Sequence, residues 1–242
     1  MVNNMPVSPD QSENKLTKLP ELKNVPVKFI DVSHTVEKDM VTYKGIPGPL
    51  ISDYRSREAS RDYYADGTEF HIGKIEMIAT TGTYIDSPFH RFPDGKDLSE
   101  LPLDGLANLP GVCISAEQLR AIGPASFHGK NVAGKAVLVR TGWSRHWLRE
   151  TYFDDPPFLT QEAAELLVKN KAALVGIDSM NIDDIHDKTR PVHTLLLRVN
   201  IPIIEHLTSL SELPEEGFRL FAVPVKIKSF GSFPVRAFAM VP

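Results

Sequence analysis

Two runs constrain this chain more than any other feature. Ala136-Val137-Leu138-Val139-Arg140 and Ala172-Ala173-Leu174-Val175-Gly176-Ile177 are apolar at nearly every position. A strand with one wet face alternates apolar with polar residues, so runs this continuous predict strands covered on both faces. Other segments do alternate. Val27-Lys28-Phe29-Ile30-Asp31-Val32 carries β-branched residues at every second or third place, and Ile75, Met77 and Ala79 alternate with Lys74 and Glu76. Residues 202–205, 220–227 and 235–240 complete the predicted strands.

Helices are fewer. Ser115-Ala116-Glu117-Gln118 has the form of a capping box leading into Leu119 and Ile122, which predicts a helix start. Thr160 is placed to cap a helix over residues 161–171, with Glu162 in its first turn and Ala163, Leu166 and Leu167 on its apolar face. Many strands with few helices predict an α/β domain, a mixed-sheet or barrel-like β core with flanking helices. One domain over residues 26–242 is expected. Residues 1–25 read as a polar N-terminal tail, ordered only where a partner subunit holds it.

Composition narrows the function classes. The 242 residues are 42% hydrophobic and 24% charged, with a net charge of -4. No basic stripe points to nucleic acid, and no apolar stretch reaches the length of a membrane span. The N-terminus lacks a secretory pattern, and the one cysteine, Cys113, sits in an apolar run as a core residue would. These features fit a cytoplasmic protein acting on a small molecule. There is no phosphate-binding loop, no dinucleotide fingerprint and no Gly-x-Ser-x-Gly elbow.

The chemistry concentrates in Thr80-Thr81-Gly82-Thr83-Tyr84-Ile85-Asp86-Ser87-Pro88-Phe89-His90. In an extended segment Thr80, Gly82, Tyr84 and Asp86 share one face, and Pro88 then turns the chain so that Asp86 and His90 stand at a strand end. Downstream, His193 precedes the apolar Leu195-Leu196-Leu197, and Glu205 ends the apolar Ile201-Pro202-Ile203-Ile204. A carboxylate there is either exposed at a rim or bound to something positive. His71 is a further candidate ligand. The loop from Asp183 to Asp187 lacks calcium-loop spacing and reads as solvated or cap-rich. Residues 140–147, with Trp143 and Trp147, are aromatic and basic. They form either a pocket for an anionic aromatic substrate, with Trp143 as its binding residue, or a packed strand-to-helix junction.

The 80–90 segment resembles the His-x-Gly-Thr-His-x-Asp-x-Pro-x-His signature of the cyclase family, which includes kynurenine formamidases and isatin hydrolases. Gly82, Thr83, Asp86, Pro88 and His90 match it, and Thr80 and Tyr84 stand where the signature has two histidines. The segments at residues 29–33 and 174–178, His193 with Glu205, and residues 234–237 are similar to family landmarks in family order. The resemblance implies the cyclase, swivelling β/β/α-like fold, and hydrolysis of an amide or cyclic imide/lactam C–N bond with zinc or manganese. It implies Asp86, His193 and Glu205 as metal ligands and His90 as the catalytic acid/base. It also implies a homo-oligomer, dimer or tetramer. Tyr84 is a catalytic candidate of another kind, a hydroxyl donor to a developing oxyanion. Two alternatives stand beside this reading. One is a metal-independent enzyme using Tyr84, Asp86 and His90, and the other is a non-catalytic homologue that binds a small molecule.

Overall fold

The computed structural model describes residues 27–242, so the tail at residues 1–25 lies outside the described residues. The strands are β1 (Lys28–Asp31), β2 (Leu50–Arg55), β3 (Ile72–Glu76), β4 (Tyr84–Asp86), β5 (Leu109–Ser115), β6 (Ala121–Ile122), β7 (Ala136–Arg140), β8 (Phe158–Leu159), β9 (Leu174–Ile177), β10 (Ile203–Glu205), β11 (Glu216–Phe221), β12 (Ser232–Pro234) and β13 (Phe238–Val241). The helices are the single turn α1 (Arg57–Ser60), α2 (Gln161–Lys169) and α3 (Pro191–Arg198).

Nine strands make one mixed sheet in the order β1-β13-β11-β5-β7-β9-β10-β4-β12. Its centre, β5-β7-β9-β10, is parallel, and the strands on either side run antiparallel. The two apolar runs of the sequence are β7 and β9, side by side in that centre and buried on both faces. Val137, Val139, Val175 and Ile177 pack with Ala163, Ala164 and Leu167 of α2 and with Leu196 and Leu197 of α3. Leu138 and Leu174 face the other way, into a second core with Ile30, Ile85, Ile204, Leu220 and Ala239. That second core draws residues from both ends of the sheet because the sheet curls on itself. Ser33, just past β1, bridges Leu207, just past β10, and Thr208 N donates to Val32 O at 3.0 Å. The expectation of a mixed, barrel-like core with flanking helices holds.

Thr160 caps α2 as predicted, its hydroxyl accepting from Ala163 N at 3.3 Å. The helix predicted after Ser115 does not form. Ser115 is the last residue of β5, opposite Arg140, and its hydroxyl accepts from that guanidinium at 3.0 Å rather than from a helix turn. Ala121 and Ile122 instead pair with Phe158 and Leu159. The strand predicted over 220–227 ends at Phe221, ahead of Pro224, which cannot donate to a ladder. Helix α3 is additional to the expected helices, and its buried Val192, His193, Leu196 and Leu197 lie one turn apart on a single face. Among the described residues no helix is long and apolar enough to cross a membrane.

Candidate active site

Strand β4 is only three residues long, and it assembles the site by pairing on both edges. Tyr84 lies opposite Glu205 of β10, and Asp86 lies opposite Ser232 of β12. Directly opposed residues of an antiparallel pair share a face, so Tyr84, Asp86, Glu205 and Ser232 converge, while Ile85 points away into the second core. The approach to β4 is a turn rather than the extended segment expected from sequence, and Gly82 adopts φ +68° there, a conformation that favours glycine. Thr80 nevertheless lines the same cleft as Tyr84.

The fourth wall is α3. Its N-terminus is capped from outside by Asp183, which accepts from Val192 N at 2.7 Å and from His193 N at 3.1 Å. An acid at that position suits the helix dipole. The same carboxylate takes the His193 Nδ1 hydrogen at 2.6 Å. With Nδ1 engaged, Nε2 is turned to Asp86 Oδ2 at 3.6 Å and Glu205 Oε1 at 3.5 Å. Glu205 also accepts from Ile182 N at 2.6 Å and from the Tyr84 hydroxyl.

His90 reaches in from the turn after β4. Its backbone passes so close to Gly231 that a Cβ on residue 231 would stand 2.6 Å from His90 N and Cα. Ser232 links the two motif residues. Its hydroxyl hydrogen-bonds both Asp86 Oδ1 and, at 2.8 Å, His90 Nδ1. Serine has one proton, and an ionised Asp86 can only accept it. His90 Nδ1 must then carry its own hydrogen, leaving the Nε2 lone pair free. The His90 side chain is 39% exposed, whereas Asp86 and Glu205 are fully buried.

The electrostatics favour a cation. Asp86, Asp183 and Glu205 are three buried carboxyl groups around one buried imidazole, an arrangement that is costly without more positive charge. Burial pulls the His193 imidazole down, but Asp183, Asp86 and Glu205 outweigh it and hold it up at about 10. Burial pushes Glu205 up to about 7 against the pull of His193. Burial also raises the Tyr84 phenol well above its usual range, with Glu205 and Asp86 adding to it, so Tyr84 is a neutral donor.

Asp86 Oδ2 is buried with no hydrogen-bond partner. Two ligands on one tetrahedral zinc stand about 3.4 Å apart, close to the separations His193 Nε2 makes with both carboxylates. A metal-ligating histidine also commonly gives its other N–H to a carboxylate, as His193 does. Asp86, His90 and His193 each bring a ligand atom within 4.8 Å of the others. The residues present therefore fit a divalent metal.

Among the sequence candidates, Tyr84, Asp86, His90, His193 and Glu205 come together. Trp143 does not line the cleft. It lies in the turn after β7, its indole N–H donating to Tyr152 O at 3.0 Å. His71 lies on the β2–β3 hairpin against Asp53 at 2.8 Å, away from this group. Sequence reasoning missed Ser232 and the role of Asp183. Neither has a motif, and each is defined by what the fold places beside it.

The cyclase family profile matches residues 30–184. The kynurenine formamidase of Bacillus cytotoxicus is 30% identical over 87% of this chain and 96% of its own length, and that of Bacillus anthracis is 29% identical over the same shares. Among solved structures, isatin hydrolase A from Labrenzia aggregata superposes with a TM-score of 0.75 at 25% identity, covering 89% of this chain and 94% of that one. With its signature segment on β4 and its fold shared across nearly its whole described length, the chain belongs to the cyclase family.

Proposed function

We propose that the chain is a hydrolase of small-molecule C–N bonds, cleaving an amide or a cyclic imide or lactam. The observation that carries this is the orphaned Asp86 Oδ2 facing His193 Nε2 at 3.6 Å, beside a histidine whose free nitrogen faces the cleft. The kynurenine formamidase and isatin hydrolase relatives support the same reaction class. Asp86, His193 and Glu205 would hold a divalent ion, zinc or manganese, which when bound supplies electrophilic activation of the scissile carbonyl.

The protein's own residues handle the protons. His90 Nε2 takes a proton from the attacking water as the C–O bond forms. It returns that proton to the nitrogen as the C–N bond breaks. Ser232 and Asp86 hold the ring in the tautomer this requires. Tyr84 has its one proton committed to Glu205, which makes it a positioning residue for that carboxylate rather than an electrophile.

Protein purified without chelators should contain about one zinc or manganese per chain, and Asp86→Ala should lose both the metal and the activity. His90→Gln, assayed at saturating zinc or manganese, should lose at least about a hundredfold in kcat. Full turnover by metal-stripped protein of a panel of aryl formamides and isatin would instead favour the metal-independent alternative. We further propose a homo-oligomer and cytoplasmic residence. The first is supported by an exposed apolar hairpin, the second by the unpaired, buried Cys113.

A further inference from the structure

The cleft above His90 and His193 has a volume of about 320 Å³, at the small end for ligand sites. Its lining includes Arg91, Lys188 and Arg190 and not one carboxylate. In a chain with net charge -4 this is a local inversion of sign. None of the three lies within 4.0 Å of an acidic side chain among the described residues. The two arginines are fixed all the same, and by neutral groups. Arg91 Nε donates to the Thr194 hydroxyl at 3.2 Å, and Arg190 Nη1 donates to Asn181 Oδ1 at 3.0 Å and Asp184 O at 3.4 Å. Asp187, on the same loop, has its carboxyl lowered by the Thr189 hydrogen bonds and then by the Arg190 charge, but it makes no ion pair with Arg190, and its Oδ1 is taken by Thr189 N and Oγ1. Guanidinium groups oriented by neutral acceptors keep their charge available, and their remaining N–H groups form the planar fork that a carboxylate matches.

We propose that the substrate carries a carboxylate, held at the rim of the cleft by Arg91, Lys188 and Arg190 while its amide or imide carbonyl reaches the floor at His90 and His193. This rests on the hydrolase reading given above and adds the class of substrate. Three cations at the rim also raise the local concentration of an anion and steer it inward. The aromatic, basic stretch around Trp143 does not serve this purpose, because it does not line the cleft.

Two matched probes test it, 2-formamidobenzoate and formanilide, which differ only by the carboxylate. With wild-type holoenzyme, kcat/KM for the anion should exceed that for the neutral probe at least tenfold, and 0.5 M salt should shrink the ratio. Arg91→Gln and Lys188→Gln should each reduce the ratio on the order of tenfold, and Arg91→Lys and Lys188→Arg should restore much of it. A variant that merely damages the fold lowers both rates and leaves the ratio unchanged. Equal kcat/KM for the two probes in wild type, or a ratio the charge-removing variants do not move, overturns the proposal.

Calorimetric binding of the same probes separates this idea from the reaction itself. If neither probe nor isatin nor a panel of cyclic imides is turned over, the hydrolase reading fails. Binding of the anion alone, weakened in Arg91→Gln and Lys188→Gln, then still supports the carboxylate site, and equal or absent binding of both probes ends it.

Discussion

Ser232 has one proton and two neighbours that seek a hydrogen bond, and that shortage fixes the state of the site. The proton goes to Asp86, so His90 must donate from Nδ1 and face the cleft with a bare Nε2. Ser232→Ala removes this relay without touching His193 or Glu205. We expect kcat to fall roughly 10- to 100-fold, with metal content unchanged by elemental analysis and KM little altered. Unchanged kcat would mean that His90 does not depend on the relay. Asp86, His90, His193 and Glu205 were legible because the 80–90 segment and the downstream His–Glu pair resemble cyclase-family landmarks, at places where chemistry restricts what can stand. Ser232 was not, since serine is common and only its register opposite Asp86 gives it meaning. Asp183 was hidden for the same reason. Its polar loop reads as solvated or cap-rich, and a cap is what forms, but only the folded α3 shows that the same carboxylate also turns inward to His193.

At the scale of elements, short strands did the most and showed the least. β4 contributes three residues and yet carries Tyr84 and Asp86 to opposite neighbours, an arrangement that no window of sequence can display. β7 and β9 were plain, because burial on both faces leaves an unbroken apolar run. The hairpin of β2 and β3 is the converse case. It pairs Ile51 with Ile75 and exposes them at 42% and 49%, with Leu50, Tyr54, Phe70 and Ile72 exposed as well. A two-stranded ribbon is marginal in water by itself, and an apolar one of this extent calls for cover. We propose a second copy of the chain as that cover, since it would also account for the expected homo-oligomer. Light scattering at micromolar concentration should therefore give a dimer or tetramer. The double variant Ile51→Lys with Ile75→Lys should give a folded monomer by scattering and circular dichroism. A monomeric wild type would remove the hairpin from this role.

Across the whole molecule, the curl of the sheet brings β1's end against the end of β10, and this is where the fold tests its own stability. His34 sits at that seam, its ring stacked on Trp147 at 3.9 Å with 4° between planes, and its backbone N–H donating to Thr83 Oγ1 at 2.9 Å. His34 Nε2 is buried without a partner, and burial pulls the imidazole down to about 4 from its ordinary 6.5. The folded state thus holds His34 neutral where the unfolded chain already binds a proton. The resulting stabilisation is complete above pH 6.5 and is lost as pH falls from there towards 4. His34 is only partly buried, so solvent screening reduces the amount to about 1–2 kcal/mol. Carboxylates titrate near the lower end of this window, so the comparison must be with His34→Gln rather than with wild type at another pH. Urea midpoints from pH 8 to pH 4.5 should decline more steeply in wild type than in the variant, and the two curves should run parallel above pH 7. Parallel curves throughout would show that the seam does not depend on a neutral His34. The curl would then rest on the second core and on the backbone contacts of Ser33 with Leu207 and of Thr208 with Val32.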